Sequence, residues 1–204
     1  MNSIMVANRK VTPSKVVCIG RNYVDHIKEL ANEQPTEPVI FIKPNSAISQ
    51  QIVLSGGDEI HYEGEICFAV QSGQLSAVGF GLDLTKRQVQ SQLKAKGLPW
   101  ERAKAFNGSA IFSDFVTLPS DITELHMELY INEKLTQAGD YAQMIFKPAE
   151  FLADISNFLT LEDGDVIMSG TPKGVGKIDV GDKFTAKVFA GDNLIQECTW
   201  VAQD

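Results

Sequence analysis

The stretch His61-Tyr62-Glu63-Gly64-Glu65-Ile66 sets two glutamates two positions apart at the head of an apolar, β-prone run. Along a strand, residues i and i+2 point to one face, so Glu63 and Glu65 project side by side, with His61 on that face too. Carboxylates held that close repel, and one takes up a proton unless a cation lies between them. Hard oxygen ligands favour Mg²⁺, Mn²⁺ or Ca²⁺ over zinc. A third carboxylate, Asp83, closes a second apolar segment where a helix begins. Three carboxylates on one ion leave about three of six octahedral positions open. The same Glu-x-Glu pattern also lines the solvent face of many amphipathic strands, so spacing by itself does not decide between the two.

Other residues could work beside such a site. His26 and Glu29 are three apart in a segment with helical spacing, which makes them neighbours. They read as a surface ion pair or as a base with its orienting acid. Lys104 lies among apolar neighbours, as a snorkelling surface lysine or as a fixed positive charge. Gly170-Thr171-Pro172-Lys173-Gly174-Val175-Gly176 lacks the phosphate-loop pattern, and no helix follows it. Its backbone N–H groups could still cradle a carboxylate.

The elements that must position these groups are mostly strands. Residues 16–20 and 38–44 read as strands, the second closed by proline. Ile52-Val53-Leu54 reads as a further short strand, and residues 78–84 as another. Thr85-Lys86-Arg87-Gln88 fits a capping box that opens a helix running to about Lys96. Residues 125–132 alternate as a half-buried strand, turning through Asn132-Glu133-Lys134. Residues 148–158 form the clearest helix, with proline at N1 and Phe151, Leu152, Ile155, Phe158 and Leu159 on one face. A terminal hairpin spans residues 182–201. Many short strands with three helices imply a β-dominated α+β fold.

The 204 residues suffice for one large domain or two small ones, with ordinary globular contents of 44% hydrophobic and 22% charged residues. A net charge of −8 argues against nucleic acid as the main partner. Cys18, Cys67 and Cys198 are odd in number and sit in apolar surroundings, which reads as buried thiols in a reducing compartment. No signal peptide and no membrane-length apolar run is seen, so the expected location is the cytoplasm, with no membrane partner.

Taken together, six segments resemble the fumarylacetoacetate hydrolase superfamily, in its acylpyruvate hydrolase and oxaloacetate decarboxylase branch. They are Ile19-Gly20-Arg21-Asn22-Tyr23 with His26 and Glu29; residues 38–44; His61 to Glu65; Leu82-Asp83-Leu84-Thr85 with Gln90; Gly97-Leu98-Pro99-Trp100 with Lys104; and Ser169 to Gly176. The resemblance implies a mixed β-sandwich roll over residues 1–204, with 1–15 as an N-terminal extension. It implies Mg²⁺ or Mn²⁺ on Glu63, Glu65 and Asp83, a keto-acid substrate and a homodimer. The expected activity is hydrolysis of the carbon–carbon bond of acylpyruvates through an enolate at the metal. Oxaloacetate decarboxylation and keto–enol tautomerisation share that intermediate and stay open, as does keto-acid binding without turnover.

In this reading His26, oriented by Glu29, activates water, and Lys104 stabilises the developing oxyanion or binds a substrate oxygen. Arg21, Lys43, Gln90 and Thr171 are the further substrate contacts. Residues 23–36 are expected to form a lid, open without ligand. Two departures from the family pattern stand out. Gly64 replaces a larger apolar residue, which is expected to loosen its strand. Asn107-Gly108-Ser109 after Lys104 is unusual and leaves that wall of the site unspecified.

Overall fold

The structure, a computed structural model, describes residues 1–29, 33–54 and 57–204. Its largest sheet runs in the order Val39–Pro44, Lys15–Gly20, Val166–Met168, Gly64–Gln71, Gln74–Asp83, Ala110–Phe112 and Ile48–Ser49. Val166–Met168 is parallel to Lys15–Gly20 and antiparallel to Gly64–Gln71, so the sheet is mixed. A second, antiparallel sheet has the order Lys134–Asp140, Leu125–Ile131, Lys183–Ala190, Asn193–Val201. Three short strands, Gly176–Lys177, Ile60–Tyr62 and Thr85–Lys86, form a third. The fold is strand-dominated α+β, as the sequence pattern implies.

The apolar runs have a simple cause. Both faces of the central strands are covered, so both sets of alternate side chains must be apolar. Val17, Ile19, Ile66 and Phe68 enter one core, together with Leu125, Met127, Leu129 and Phe184 of the second sheet. Val16, Cys18, Cys67 and Ala69 enter another, on the opposite face, with Val166, Met168 and Phe115. Burying each large side chain contributes about 1.5–3 kcal/mol. The N-terminal hairpin, Ile4–Val6 with Arg9–Val11, puts Ile4 into this second core and exchanges backbone hydrogen bonds with Phe115. All three cysteines are free; Cys18 and Cys67 are buried, whereas Cys198 is half-buried. Among the described residues, no helix is long and apolar enough to cross a membrane.

Several local expectations are corrected. The Thr85 capping box does not form: Thr85 is in a strand, and the helix is Arg87–Ala95 with Lys86 at the N-cap. Thr85 is withdrawn from capping because its hydroxyl accepts from Lys104 Nζ at 2.6 Å. The helix after Lys147 is Pro148–Ser156, and Phe158 lies past its end, exposed. Ile52-Val53-Leu54 makes only an isolated bridge, Val53 to Gln203. The hairpin turn is as read, with Asn132 and Glu133 at φ 50° and 69°, the left-handed pair that suits a two-residue turn.

Gly64 does not loosen its strand. A Cβ there would lie 2.8 Å from Phe80 Cζ and 3.0 Å from Gln137 Oε1. The space a larger residue would fill is already taken, and the Gly64 N–H donates to Gln137 Oε1 at 2.9 Å.

Candidate metal and active site

Glu63 lies in the break between Ile60–Tyr62 and Gly64–Gln71, strands of two different sheets. That break corrects the one-face reading. His61 turns away to Glu59, with Nε2 2.8 Å from Oε1, while Glu63 and Glu65 both point inward and are buried. Gly64–Gln71 pairs with Gln74–Asp83 in a register that sets Gly64 opposite Leu82, and Asp83 N–H donates to Glu63 C=O at 2.9 Å. Asp83 thereby meets the two glutamates. One carboxylate oxygen from each of Glu63, Glu65 and Asp83 lies within 4.8 Å of the others.

Buried carboxylates need compensating charge, or they protonate. Lys104 Nζ supplies it from beneath, donating to Glu63 Oε2 (2.8 Å), Asp83 Oδ2 (2.7 Å) and Thr85 Oγ1 (2.6 Å). Arg87 Nη2 donates to Glu63 Oε1 at 2.6 Å. Burial works against the Glu63 charge, but Lys104, Arg87 and His26 together hold its carboxyl well below the usual range. Among the described residues Glu65 is ion-paired with no cation, and only the more distant Lys104 charge lowers it. Burial, then the charges of Asp83 and Glu63, push it well above the usual range, although Gly170 N–H donates to its Oε2 at 2.7 Å. For Lys104, burial is outweighed by Asp83 and Glu63, which raise its pKa.

The arrangement fits a divalent cation. The donors are hard oxygens, which suit Mg²⁺ or Mn²⁺. Asp83 Oδ1 is buried without a hydrogen-bond partner. Lys43 Nζ stands 2.8 Å from it, in ion-pair contact but outside hydrogen-bond geometry, so the oxygen keeps a free lone pair. A cation shared with Glu65 would also remove the reason for Glu65 to hold a proton.

The same cavity is lined by Arg21, His26, Gln90, Lys104 and Thr171. His26 and Glu29 share the helix Val24–Glu29, with Nδ1 3.2 Å from Oε2. Glu29 is held in turn by Gly174 N–H, at 3.0 Å from Oε1, and Lys173 pairs with Asp25 at 3.0 Å. The expected open lid is therefore corrected for residues 23–29. These residues are docked on the 173–174 loop, because both pairings reach across to it. The lid expectation for residues 30–32 lies outside the described residues.

Two lysines are used differently from the expectation. Lys43 does not line the cavity. It has no exposed surface and donates to Lys104 C=O and to Ser109 C=O (3.0 Å), behind Asp83. Lys104 does line it, but its three N–H groups are spent on protein oxygens. The wall left unspecified by Asn107-Gly108-Ser109 is a turn in which buried Ser109 Oγ donates to Lys104 C=O at 2.7 Å. Thr171 Oγ1 donates to Gly64 C=O and accepts from Gln137 Nε2, both at 2.9 Å.

Sequence reasoning missed Arg87 and Gln137. Arg87 had a weak signal, its i,i+3 spacing to Gln90, whose Oε1 accepts from Nη1 at 2.7 Å. Gln137 had none, since it joins Gly64, Thr171 and Pro172 from a strand 73 residues away from Gly64.

Comparison with known proteins agrees with this geometry. The family model described as fumarylacetoacetate (FAA) hydrolase C-terminal matches residues 15–200. The chain is 38% identical over 199 residues to an oxaloacetate tautomerase of Escherichia coli, covering 89% of this chain and 90% of that one. It is 36% identical over 190 residues to a mitochondrial oxaloacetate tautomerase of Homo sapiens, covering 85% and 86%. A crystal structure of fumarylpyruvate hydrolase from Pseudomonas aeruginosa in complex with Mn²⁺ and pyruvate superposes with a TM-score of 0.88 at 25% identity, over 99% of this chain and 95% of that one. A family match across nearly the whole chain, relatives above one-third identity and a cluster of three buried carboxylates lead to one conclusion: this chain belongs to the fumarylacetoacetate hydrolase family.

Proposed function

We propose that the chain is a divalent-metal-dependent enzyme that enolises 2-keto acids, with keto–enol tautomerisation of oxaloacetate as its reaction. The observation that carries this is the His26–Glu29 pair on the cavity that holds the carboxylates of Glu63, Glu65 and Asp83. A bound Mg²⁺ or Mn²⁺ supplies Lewis-acid stabilisation of negative charge developing on the keto oxygen. Glu29 occupies Nδ1 of His26, which leaves Nε2 to take the proton from the carbon beside the ketone and return it to oxygen. Arg21 and the backbone N–H of Thr171 orient the substrate carboxylates. The relatives named as oxaloacetate tautomerases support this choice of substrate.

Acylpyruvate hydrolysis is the second reading. The same His26–Glu29 pair could take its proton from water, and the fumarylpyruvate hydrolase neighbour favours it. Decarboxylation needs no such base, so the pair argues less for it. The test is a spectrophotometric assay of enol-oxaloacetate decay and of acetylpyruvate loss, with Mg²⁺, Mn²⁺ or a chelator. Metal-stimulated enol decay is expected to exceed acetylpyruvate loss. No acceleration over the uncatalysed reaction would overturn the proposal, and faster acetylpyruvate loss would favour the second reading.

A further inference from the structure

Two parts of the proposed chemistry reach the cavity from different elements. Glu63 and Glu65 flank the junction at Gly64, and Asp83 ends the strand paired with it. His26 and Glu29 come from the helix Val24–Glu29. A base serves a substrate on the metal only from a fixed distance, and a misplacement of about 1 Å can cost about 100-fold in rate. The helix must therefore be held in place relative to the junction.

One buried side chain of the second sheet joins them. Gln137 is 1% exposed and does not line the cavity. Its Oε1 accepts from Gly64 N–H at 2.9 Å, and its Nε2 donates to Thr171 Oγ1 and to Pro172 C=O, both at 2.9 Å. These partners fix which way round the amide lies, since an N–H faces its carbonyl and two oxygens face its NH₂. Thr171 Oγ1 donates in turn to Gly64 C=O at 2.9 Å, which closes a ring of hydrogen bonds between the junction and the loop. The same loop reaches the rest of the site. Gly170 N–H donates to Glu65 Oε2 at 2.7 Å and Gly174 N–H to Glu29 Oε1 at 3.0 Å, while Glu29 Oε2 lies 3.2 Å from His26 Nδ1. Gly174 has φ 99°, and a Cβ there would collide with the Thr136 carbonyl, so the loop sits directly on the strand that carries Gln137.

We propose that Gln137 is a positioning residue: through the 170–174 loop it holds the His26–Glu29 base at a set distance from the carboxylates of Glu63, Glu65 and Asp83. It acts on substrate only through these contacts. The proposal rests on the keto-acid reading above and extends it from residues that meet substrate to one that does not.

Oxaloacetate tautomerisation by the full-length protein tests this, with Mn²⁺ saturating for each variant. Gln137→Met keeps the length and removes both hydrogen-bonding groups. It is expected to lower kcat about 10–100-fold, the cost of a misplaced base, with KM within about threefold of wild type because uniform substrate binding is untouched. A residue that only stabilised the fold would give the same loss with or without Glu29. Glu29→Ala cuts the link from the loop to His26. In that background Gln137→Met is expected to lower kcat less than about twofold further, since residues that act as a unit are not additive. The same fold-loss in both backgrounds, or no loss in either, overturns the proposal. Gln137→Asn, a methylene too short to span both sides, carries the test if Gln137→Met does not fold. Hydrogen exchange reads the positioning without turnover. Gln137→Met should lower protection in residues 23–29 and 170–176 and leave residues 183–201 unchanged. If the wild type enolises no keto acid, the functional reading fails. The positioning then stands on lost protection at residues 23–29, and unchanged protection there overturns it.

Discussion

At the scale of single residues, Asp83 holds an oxygen, Oδ1, that lies against Lys43 Nζ in an ion pair but accepts no hydrogen bond among the described residues. The other oxygen, Oδ2, is taken by Lys104. Asp83→Asn replaces one hard anionic ligand by an amide. Metal content of Mn²⁺-equilibrated protein, measured by atomic absorption, is expected to fall at least about tenfold, with activity falling in parallel. Full metal content in this variant would remove Asp83 from the ligand set. His26 is tested apart from the metal. His26→Ala is expected to slow oxaloacetate tautomerisation by about 10²–10⁴-fold, the range for loss of a general base, with metal content intact. Tautomerisation at the wild-type rate would show that another group moves the proton. Loss of acetylpyruvate cleavage alone would instead assign His26 to water activation.

At the scale of elements, the site depends on the junction at Gly64. Its N–H is held by Gln137, its C=O by Thr171, and its neighbours Glu63 and Glu65 point into the cavity. Gly64→Ala would force the new methyl against Phe80 Cζ, deep in the core, and against Gln137 Oε1. Overpacking of this kind costs about 1–3 kcal/mol. A thermal melt followed by circular dichroism should show a lower midpoint, and metal affinity should drop because both glutamates shift. A melt unchanged from wild type would mean that the junction yields freely. The same paired strands explain how two glutamates and an aspartate twenty positions apart meet at all: the register of Gly64–Gln71 on Gln74–Asp83 sets their spacing.

For the whole molecule, Asp165 ties together parts of the chain that are 150 residues apart. Its side chain is fully buried. Oδ1 accepts from Ser14 N–H (2.8 Å), Ser14 Oγ (2.8 Å) and Lys15 N–H (3.1 Å), and Oδ2 from Glu162 N–H (2.9 Å) and Lys15 Nζ (2.5 Å). Burial opposes ionisation here, but the Lys15 ammonium and the Glu162, Ser14 and Lys15 donors hold the carboxyl below its usual range. An unfolded aspartate has a pKa of about 3.9, so near that pH the unfolded chain binds more protons than the folded one. The contribution of Asp165 is therefore present above about pH 4–5 and is lost as pH falls toward the lower folded value. Asp165→Asn should cost about 2–3 kcal/mol at neutral pH in urea unfolding. The difference from wild type should shrink as pH falls below about 4. A difference independent of pH would show that shape, not charge, is what matters there.

The amino-acid sequence by itself determined what depends on local spacing. Alternation placed the strand at residues 125–132, because a strand's side chains repeat every two residues, and a β-prone, glycine-punctuated tail placed the hairpin at residues 182–201. The i,i+3 spacing made His26 and Glu29 neighbours, while the resemblance carried by six segments, and not the Glu-x-Glu spacing by itself, singled out the carboxylate site. Tertiary structure decided what depends on burial and on distant partners. Lys43 looked like a substrate contact, yet it sits behind Asp83 because strands 39–44 and 15–20 carry it under the site, 61 residues from the Lys104 carbonyl it holds. His61 left the site because the chain changes sheets at Glu63. Thr85 gave up its cap for Lys104, and Gly64 owes its small size to Phe80 and Gln137. A side chain's charge is written in the sequence. Whether that charge faces substrate, a metal or another side chain is set by which elements pack over it, since desolvation and pairing act only at contact distance.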